Sequence, residues 1–274
     1  MTKKRVKNII FNVIIRMRKP YYQGVAAELA FFFLMSMVPL TTILIELLGI
    51  FSISADIIDK LITLYVSGEV AESLRAYLIY KPSKTLSLVF IVFSLWAASK
   101  AQYSMIRIAN YTYSGFNYGR GFIRERFRAI ITVIITVLFL AFSLAILVYG
   151  EIFVSIINPF VYEIIGFPFR IIEPWYALRW PLGIGFYFLT ISFIHYLLPS
   201  KKLPIKKLIP GSIFTSAGML IASWIYSYYT SNFAAHNLLY GSLGTLVGLL
   251  IWFYILGFVM VLGIVLNAAW EETK

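Results

Sequence analysis

Read for its alternation of apolar and polar positions, the chain divides into long apolar runs joined by polar connections. The last run is the most telling. From Tyr240 to Asn267 the sequence YGSLGTLVGLLIWFYILGFVMVLGIVLN holds no charged residue and gives way to the polar tail AAWEETK. At about 1.5 Å of rise per residue it reaches roughly 40 Å, more than the roughly 30 Å hydrocarbon core of a bilayer. A soluble helix apolar on every side is rare at this length, so the pattern predicts a transmembrane helix. Five further runs read the same way, over residues 29–51, 86–108, 129–149, 178–198 and 208–229. The predicted fold is an all-α membrane protein, one domain over 1–274 built as a six-transmembrane-helix bundle.

Outside the spans, residues 6–19 set Val6, Ile9, Ile10, Val13, Ile14 and Met17 at helical spacing, with Lys7, Arg16, Arg18 and Lys19 nearby. This predicts an N-terminal amphipathic helix, lying on an anionic membrane surface or capping the bundle, and ended by Pro20. Residues 52–85 form a polar first loop, where Ile57, Ile58, Leu61, Ile62 and Tyr65 suggest one short helix and Val70 to Tyr80 a second. Pro39 falls mid-span and is expected to kink the first span, freeing carbonyls that must face protein or water. Residues 150–178 read as a connection broken by Pro159, Pro168 and Pro174. Span five is rich in Gly211, Ser212, Ser216, Ala217, Gly218, Ala222 and Ser223, which suits close helix packing or a homo-oligomer interface.

Composition narrows the function classes. With 60% hydrophobic and 13% charged residues, the chain falls among integral membrane proteins. A net charge of +12 invites a nucleic-acid reading. The basic residues lie between apolar runs instead of on one patch, so no nucleic-acid partner is expected. Cysteine is absent, which excludes disulfides, thiolate metal sites and cysteine nucleophiles. His195 and His236 stand far apart in sequence, and no carboxylate pair or Ser/His/Asp triad is visible. No metal, cofactor or enzymatic activity is therefore expected. The start imitates a signal peptide, but Asn12, Arg16 and Arg18 interrupt its apolar part and no small-residue cleavage site follows, so it is expected to be retained.

The positive charges also set an orientation. The N-terminal segment carries seven Lys and Arg, and the second and fourth connections four each. The third connection has one, the fifth none, and the four in the first are offset by four acids. Both termini are expected on the cytoplasmic side.

Charges within spans need partners, water or a route to the interface. Lys100 lies some 10 Å above the cytoplasmic face by helical rise, within partial reach of headgroups. Glu46 sits near the outer face, about 15 Å out of register with Lys100. Glu28, at the cytoplasmic entrance, is the better-placed partner for Lys100. Arg107 and Asn110, one turn apart, suit either an anionic headgroup or plain anchoring of a helix end. Ser36, His195 and Asn267 are single polar groups able to bond across helices. Trp175, Trp180, Tyr240 and Trp270 suit an interfacial belt.

Several segments together resemble the YihY/BrkB family of bacterial inner-membrane proteins. They are AAELAFFFLMSMVPL, LWAASKAQYSMIRIANYTY, LRWPLGIGFYFL, HYLLPSKKLPIKKLIPG and NFAAHNLLYGSLGTLVGLLIWFYILGFVMVLGIVLNAAWEE, in order over most of residues 24–272. The resemblance implies a six-helix bundle in a bacterial cytoplasmic membrane. Members are described only in general terms, as transporter candidates or virulence-associated membrane proteins, and some carry a ribonuclease BN label. The family's recurrent polar positions look like Ser36, Pro39, Trp96, Ser99, Arg107, Asn110, Tyr113, Tyr240, Gly241, Gly244 and Asn267. Glu28 and Lys100 depart from that pattern, where neutral residues are common, which weakens any mechanism requiring both charges.

The leading expectation is a transporter or flippase-like protein for an amphiphilic or anionic substrate. Glu28, Ser36, Pro39, Glu46, Lys100, Arg107, Asn110 and Asn267 are its pathway candidates, and membrane lipids with anionic headgroups on the cytoplasmic side are the expected partners. The rival expectation is a non-transporting scaffold for envelope machinery or a protein partner.

Overall fold

The computed structural model describes residues 3–50, 84–115, 121–165, 172–232 and 241–273. Seven α-helices cover nearly all of them: α1 Lys3–Met17, α2 Pro20–Ile50, α3 Lys84–Ser114, α4 Phe122–Ile165, α5 Ile172–Leu197, α6 Ile209–Asn232 and α7 Gly241–Glu272. A 3-10 turn, Ile205–Lys207, precedes α6, and there is no strand among the described residues. Among the described residues, four helices carry stretches long and apolar enough to cross a membrane: Phe122–Ser143, Ala177–Leu197, Ile209–Ser231 and Leu246–Glu272. The short helices expected over 57–65 and 70–80 lie outside the described residues.

Packing mostly follows chain order, and contacts out of that order, α1 on α7 among them, close the bundle. The helices α3 to α7 each meet the next in pairs α3–α4, α4–α5, α5–α6 and α6–α7, while α2 packs along both α3 and α7 and so closes the arrangement. Small residues allow that closure. Ala26 and Ala30 of α2, and Ala97, Ala98, Ala101 and Ala109 of α3, are buried where the helices approach. A Cβ on Gly257 of α7 would meet the Ala26 carbonyl oxygen at 3.0 Å. The tightest crossing is α6 on α7. There a Cβ on Gly211 would fall on the Gly263 carbonyl, and one on Gly263 would fall on the Thr215 hydroxyl. The large buried side chains, Leu29, Ile106, Ile108, Leu198, Leu208 and Ile264, fill the same end of the bundle.

One sequence expectation needs correcting, the connection broken by prolines over residues 150–178. The helix over 129–149 does not stop there: α4 runs for 44 residues to Ile165, about 66 Å at helical rise, and passes through Pro159. The segment EIFVSIINPFVYEII stays strongly apolar on both sides of the proline, so one lost backbone bond does not end it. Pro174 occupies the first turn of α5, where a missing N–H costs nothing, and does not break it. The terminal tail AAWEE continues α7 as helix to Glu272. Pro39 also lies inside a continuous α2.

Helix α1 divides its apolar residues between two environments. Ile9 and Met17 are buried against the bundle, while Val6, Ile10, Phe11, Ile14 and Ile15 are exposed. Arg16 reaches Glu272 at 2.5 Å, and the Arg5 guanidinium lies 5.0 Å over the Trp270 ring.

Candidate functional site

The described polar side chains gather at the end of the bundle that carries both chain termini. Helix α3 supplies the central face, because Ser104 and Arg107 are three residues apart and share one side. Opposite them, Glu28 of α2 accepts from Ser104 Oγ at 2.6 Å and from Arg107 at 2.5 Å. The Arg107 guanidinium also lies 5.9 Å over the ring of Tyr21, which packs edge-on against Tyr111 at 4.8 Å. The Arg107 and Glu28 side chains keep 43% and 32% of their surface exposed, so this pair is hydrated and weak. Burial pushes the Tyr21 and Tyr22 phenols above their usual value, against smaller opposing effects from Arg107 and from the Thr112 hydrogen bond respectively.

A cavity of about 220 Å³ opens beside this pair, bounded by Tyr21, Tyr103, Arg107, Asn110, Tyr111 and Glu125. Two glycines shape its rim. Gly115, at φ 76°, ends α3 with its N–H on the Tyr111 carbonyl, and Gly121, at φ 87°, precedes α4.

Behind the cavity lies a drier network. Glu125 Oε2 meets Arg128 at 3.1 Å, with the two side chains only 7% and 17% exposed. Glu125 Oε1 accepts from Ser200 Oγ at 2.5 Å and from Asn110 Nδ2 at 3.4 Å. Asn110 Oδ1 takes the Ser200 backbone N–H at 2.7 Å. Arg128 donates to Ser200 Oγ and to the carbonyls of Leu197 and Leu198, closing the end of α5.

A second buried cluster ties α5, α6 and α7. Asn267 Oδ1 accepts the Gly211 N–H at 2.6 Å, which fixes the amide so that Nδ2 faces His195 Nδ1 at 3.3 Å. The imidazole proton then belongs on Nε2, 3.1 Å from Thr215 Oγ1.

The pathway candidates therefore separate. Arg107 and Asn110 line one cavity, and Glu28 pairs with Arg107 beside it. Asn267 belongs to the other cluster, and buried Ser36 bonds its own helix at the Phe33 carbonyl, 3.1 Å away. The side chains of Pro39 and Glu46 lie outside the described residues. The expected Glu28–Lys100 partnership is corrected: Glu28 pairs with Arg107. Lys100 sits about 10 Å farther along α3 by helical rise and lies 5.4 Å over the Trp96 ring.

The model of the family described as "Virulence factor BrkB" matches residues 13–274. The chain belongs to the BrkB family. Among relatives of this BrkB chain is a ribonuclease-like protein, YfkH of Bacillus subtilis (strain 168), 29% identical over 255 residues, covering 92% of this chain and 91% of the relative. A UPF0761 membrane protein of Coxiella burnetii (strain Dugway 5J108-111) is 24% identical over 110 residues, 40% of this chain and 38% of its own. No solved structure matches. These likenesses make the BrkB chain a membrane protein and agree with the resemblance read from its motifs.

The Glu125–Arg128–Ser200 network of this BrkB protein escapes a sequence reading that counts Glu125 and Arg128 as charges of a connection. Their spacing of three was the available signal. Nothing local marks Ser200, which is recruited by the fold.

Proposed function

We propose that this BrkB protein is a six-span protein of a bacterial cytoplasmic membrane, with both termini cytoplasmic, that moves an amphiphilic anionic substrate. Helices α2 and α3 supply the two spans beyond the four apolar stretches, since each runs 31 residues, about 46 Å at helical rise. The distribution of Lys and Arg supports the orientation. In it, the exposed apolar residues of α1 rest in the cytoplasmic leaflet, with Lys3, Lys4, Lys7 and Lys19 toward its anionic headgroups.

The observation that carries the function is the cavity at Arg107, with a hydrated cation on one wall, tyrosine rings on another and polar Asn110 behind. Such a lining suits a phosphate-bearing head more than a bare cation, because each of the four described acidic side chains already sits in an ion pair. Deeper along α3, about 8 Å beyond Arg107 by helical rise, Gln102 is buried with no partner for Nε2 among the described residues. A buried unpaired amide is costly in lipid, and this one supports a polar continuation of the cavity. The same use of the acids in ion pairs supports a non-enzymatic reading; the ribonuclease-like name stays with the Bacillus relative.

A scaffold reading draws on the second cluster, where His195, Thr215, Asn267 and Gly211 satisfy one another and act as glue. Because the chain has no cysteine, single cysteines along α2, α3 and α7 separate the two readings. Membrane-impermeant thiol reagents should label a continuous stripe from the Arg107 end into the bundle, reaching Gln102 on the buried side of α3. Labelling confined to the helix ends and loops would overturn the transport reading and leave the scaffold. Purified protein should leave RNA intact; RNA cleavage that co-purifies with the protein and survives every purification step would overturn the non-enzymatic reading.

A further inference from the structure

Two to three turns farther along the same face of α3 as Arg107, a groove runs against the start of α4 and meets the cavity at Phe122. Trp96 forms its floor and is flanked by two cations. Lys100 lies 5.4 Å over the indole ring, and Arg126 of α4 reaches the Trp96 carbonyl at 3.4 Å. Neither cation has a carboxylate within ion-pair distance among the described residues, whereas Arg16, Arg107, Arg128 and Lys207 all do. The walls are apolar and outward-facing: Phe93 stacks near Trp96 at 5.9 Å, and Trp96, Phe122 and Phe127 keep 49%, 69% and 65% of their surface exposed. Uncompensated cations this far along an otherwise apolar flank are costly in lipid unless an anion meets them.

We propose that the α3–α4 groove holds one anionic phospholipid, its phosphate between Lys100 and Arg126 and its acyl chains along Phe93, Trp96, Phe122 and Phe127. Charge complementarity selects the occupant's sign. The wide aromatic exposure selects a lipid over free phosphate, because an inorganic ion would leave those rings without a partner. Trp96 is suited to the boundary between the two, apolar on its face and polar at its edge. The cationic pair holds the lipid at the rim of the bundle, about 10 Å farther along α3 than Arg107.

Native mass spectrometry of the detergent-solubilised full chain, titrated with phosphatidylglycerol, tests the site. Two interfacial charges contribute enough that K100Q/R126Q should weaken retention roughly 30-fold. K201Q/K202Q, which removes the same charge from an exposed connection, should leave retention within about twofold of wild type. Equal loss in both variants, or none in the first, overturns the site. Displacement of the lipid by millimolar inorganic phosphate also overturns it. Should K100Q/R126Q not fold, the wild-type chain carries the test. Phosphatidylglycerol with an acyl-chain diazirine should crosslink within residues 89–103 and 122–127, and crosslinks centred on Ile213 to Tyr228 of α6 would refute the groove. Loss of Arg107 leaves this crosslinking pattern unchanged, so failure of the transport reading and failure of the groove are read separately.

Discussion

Removing Glu125 strands a buried guanidinium, and the size of the penalty follows from what Arg128 keeps. In wild type Arg128 has one carboxylate, one hydroxyl and two carbonyls around it. Glu125→Ala leaves the hydroxyl and carbonyls but no counter-charge. Because the pair is mostly buried, solvent screening does little, and breaking it should cost about 3–5 kcal/mol. Arg128→Ala should cost a similar amount, since Glu125 is left ionised and buried. The double variant E125L/R128M removes both charges and should recover most of the loss. It still forfeits the bonds that close α5 at Leu197 and Leu198, each worth about 1 kcal/mol. Its expected deficit is therefore about 1–3 kcal/mol, far below the sum of the singles. Reversible unfolding in mixed micelles, followed by helical circular dichroism against detergent fraction, measures all three. Single-variant losses under about 1 kcal/mol, or a double variant equal to their sum, would refute the picture of a buried coupled pair.

Further outcomes follow from packing and polar satisfaction. Gly263→Val places methyls on Thr215 and His195 across the α6–α7 crossing and should cost about 1–3 kcal/mol or abolish folding, whereas Gly24→Ala, with nothing within 4 Å, should be neutral or slightly stabilising; thermal unfolding distinguishes them. Asn267→Leu leaves the Gly211 N–H and His195 Nδ1 without their partner and should destabilise by about 1–3 kcal/mol in the same assay. Tyr21 and Tyr22, with phenol pKa values raised by burial, favour the folded state below the unfolded tyrosine value and lose that contribution as pH rises through their folded values. Absorbance titration should show two tyrosinate steps shifted upward that vanish in Y21F/Y22F, and normal titration of both would contradict their burial.

Helix type and the apolar stretch of α7 were legible in the sequence because a long run without charge has few alternatives in water or lipid. Boundaries were less so. Pro159 reads as a breaker, yet α4 continues, since the flanking Ile, Val and Phe residues favour a continuous helix over one unsatisfied carbonyl. Among site residues, Arg107 and Asn110 were legible as polar positions at a helix end, and Glu28 as a charge in need of a cation. The choice of cation was not. Register along one helix is countable, and Lys100 and Arg107, seven residues apart, share a face of α3, but which of them meets Glu28 depends on the height at which α2 lies against α3. Glu125 posed a similar difficulty, because counting charges treats every one as solvated.

The ion pairs at the end carrying the termini differ in what it costs to open them. Glu272 holds α1 through Arg16, Glu271 holds the 3-10 turn through Lys207, and Glu125 holds the end of α5 through Arg128. The first two join elements that would have to part for a path to open there, and the third lies within α4 and orients Arg128 toward the end of α5. The Glu125 pair is buried and expensive to break. The Glu28–Arg107 pair is hydrated on both sides, worth about 0–1 kcal/mol, and it joins α2 to α3 beside the cavity. Beside the cavity, thermal motion should therefore part Glu28 from Arg107 before it opens the Glu125 pair, which exposes the route toward Gln102. In a Gln102→Cys background, adding Arg107→Ala should speed reaction with a small impermeant thiol reagent several-fold. Adding the charge-removing pair E125L/R128M should not do so beyond what lower stability explains. An unchanged rate with Arg107→Ala would mean that the cavity ends at its tyrosine wall and that the pair gates nothing.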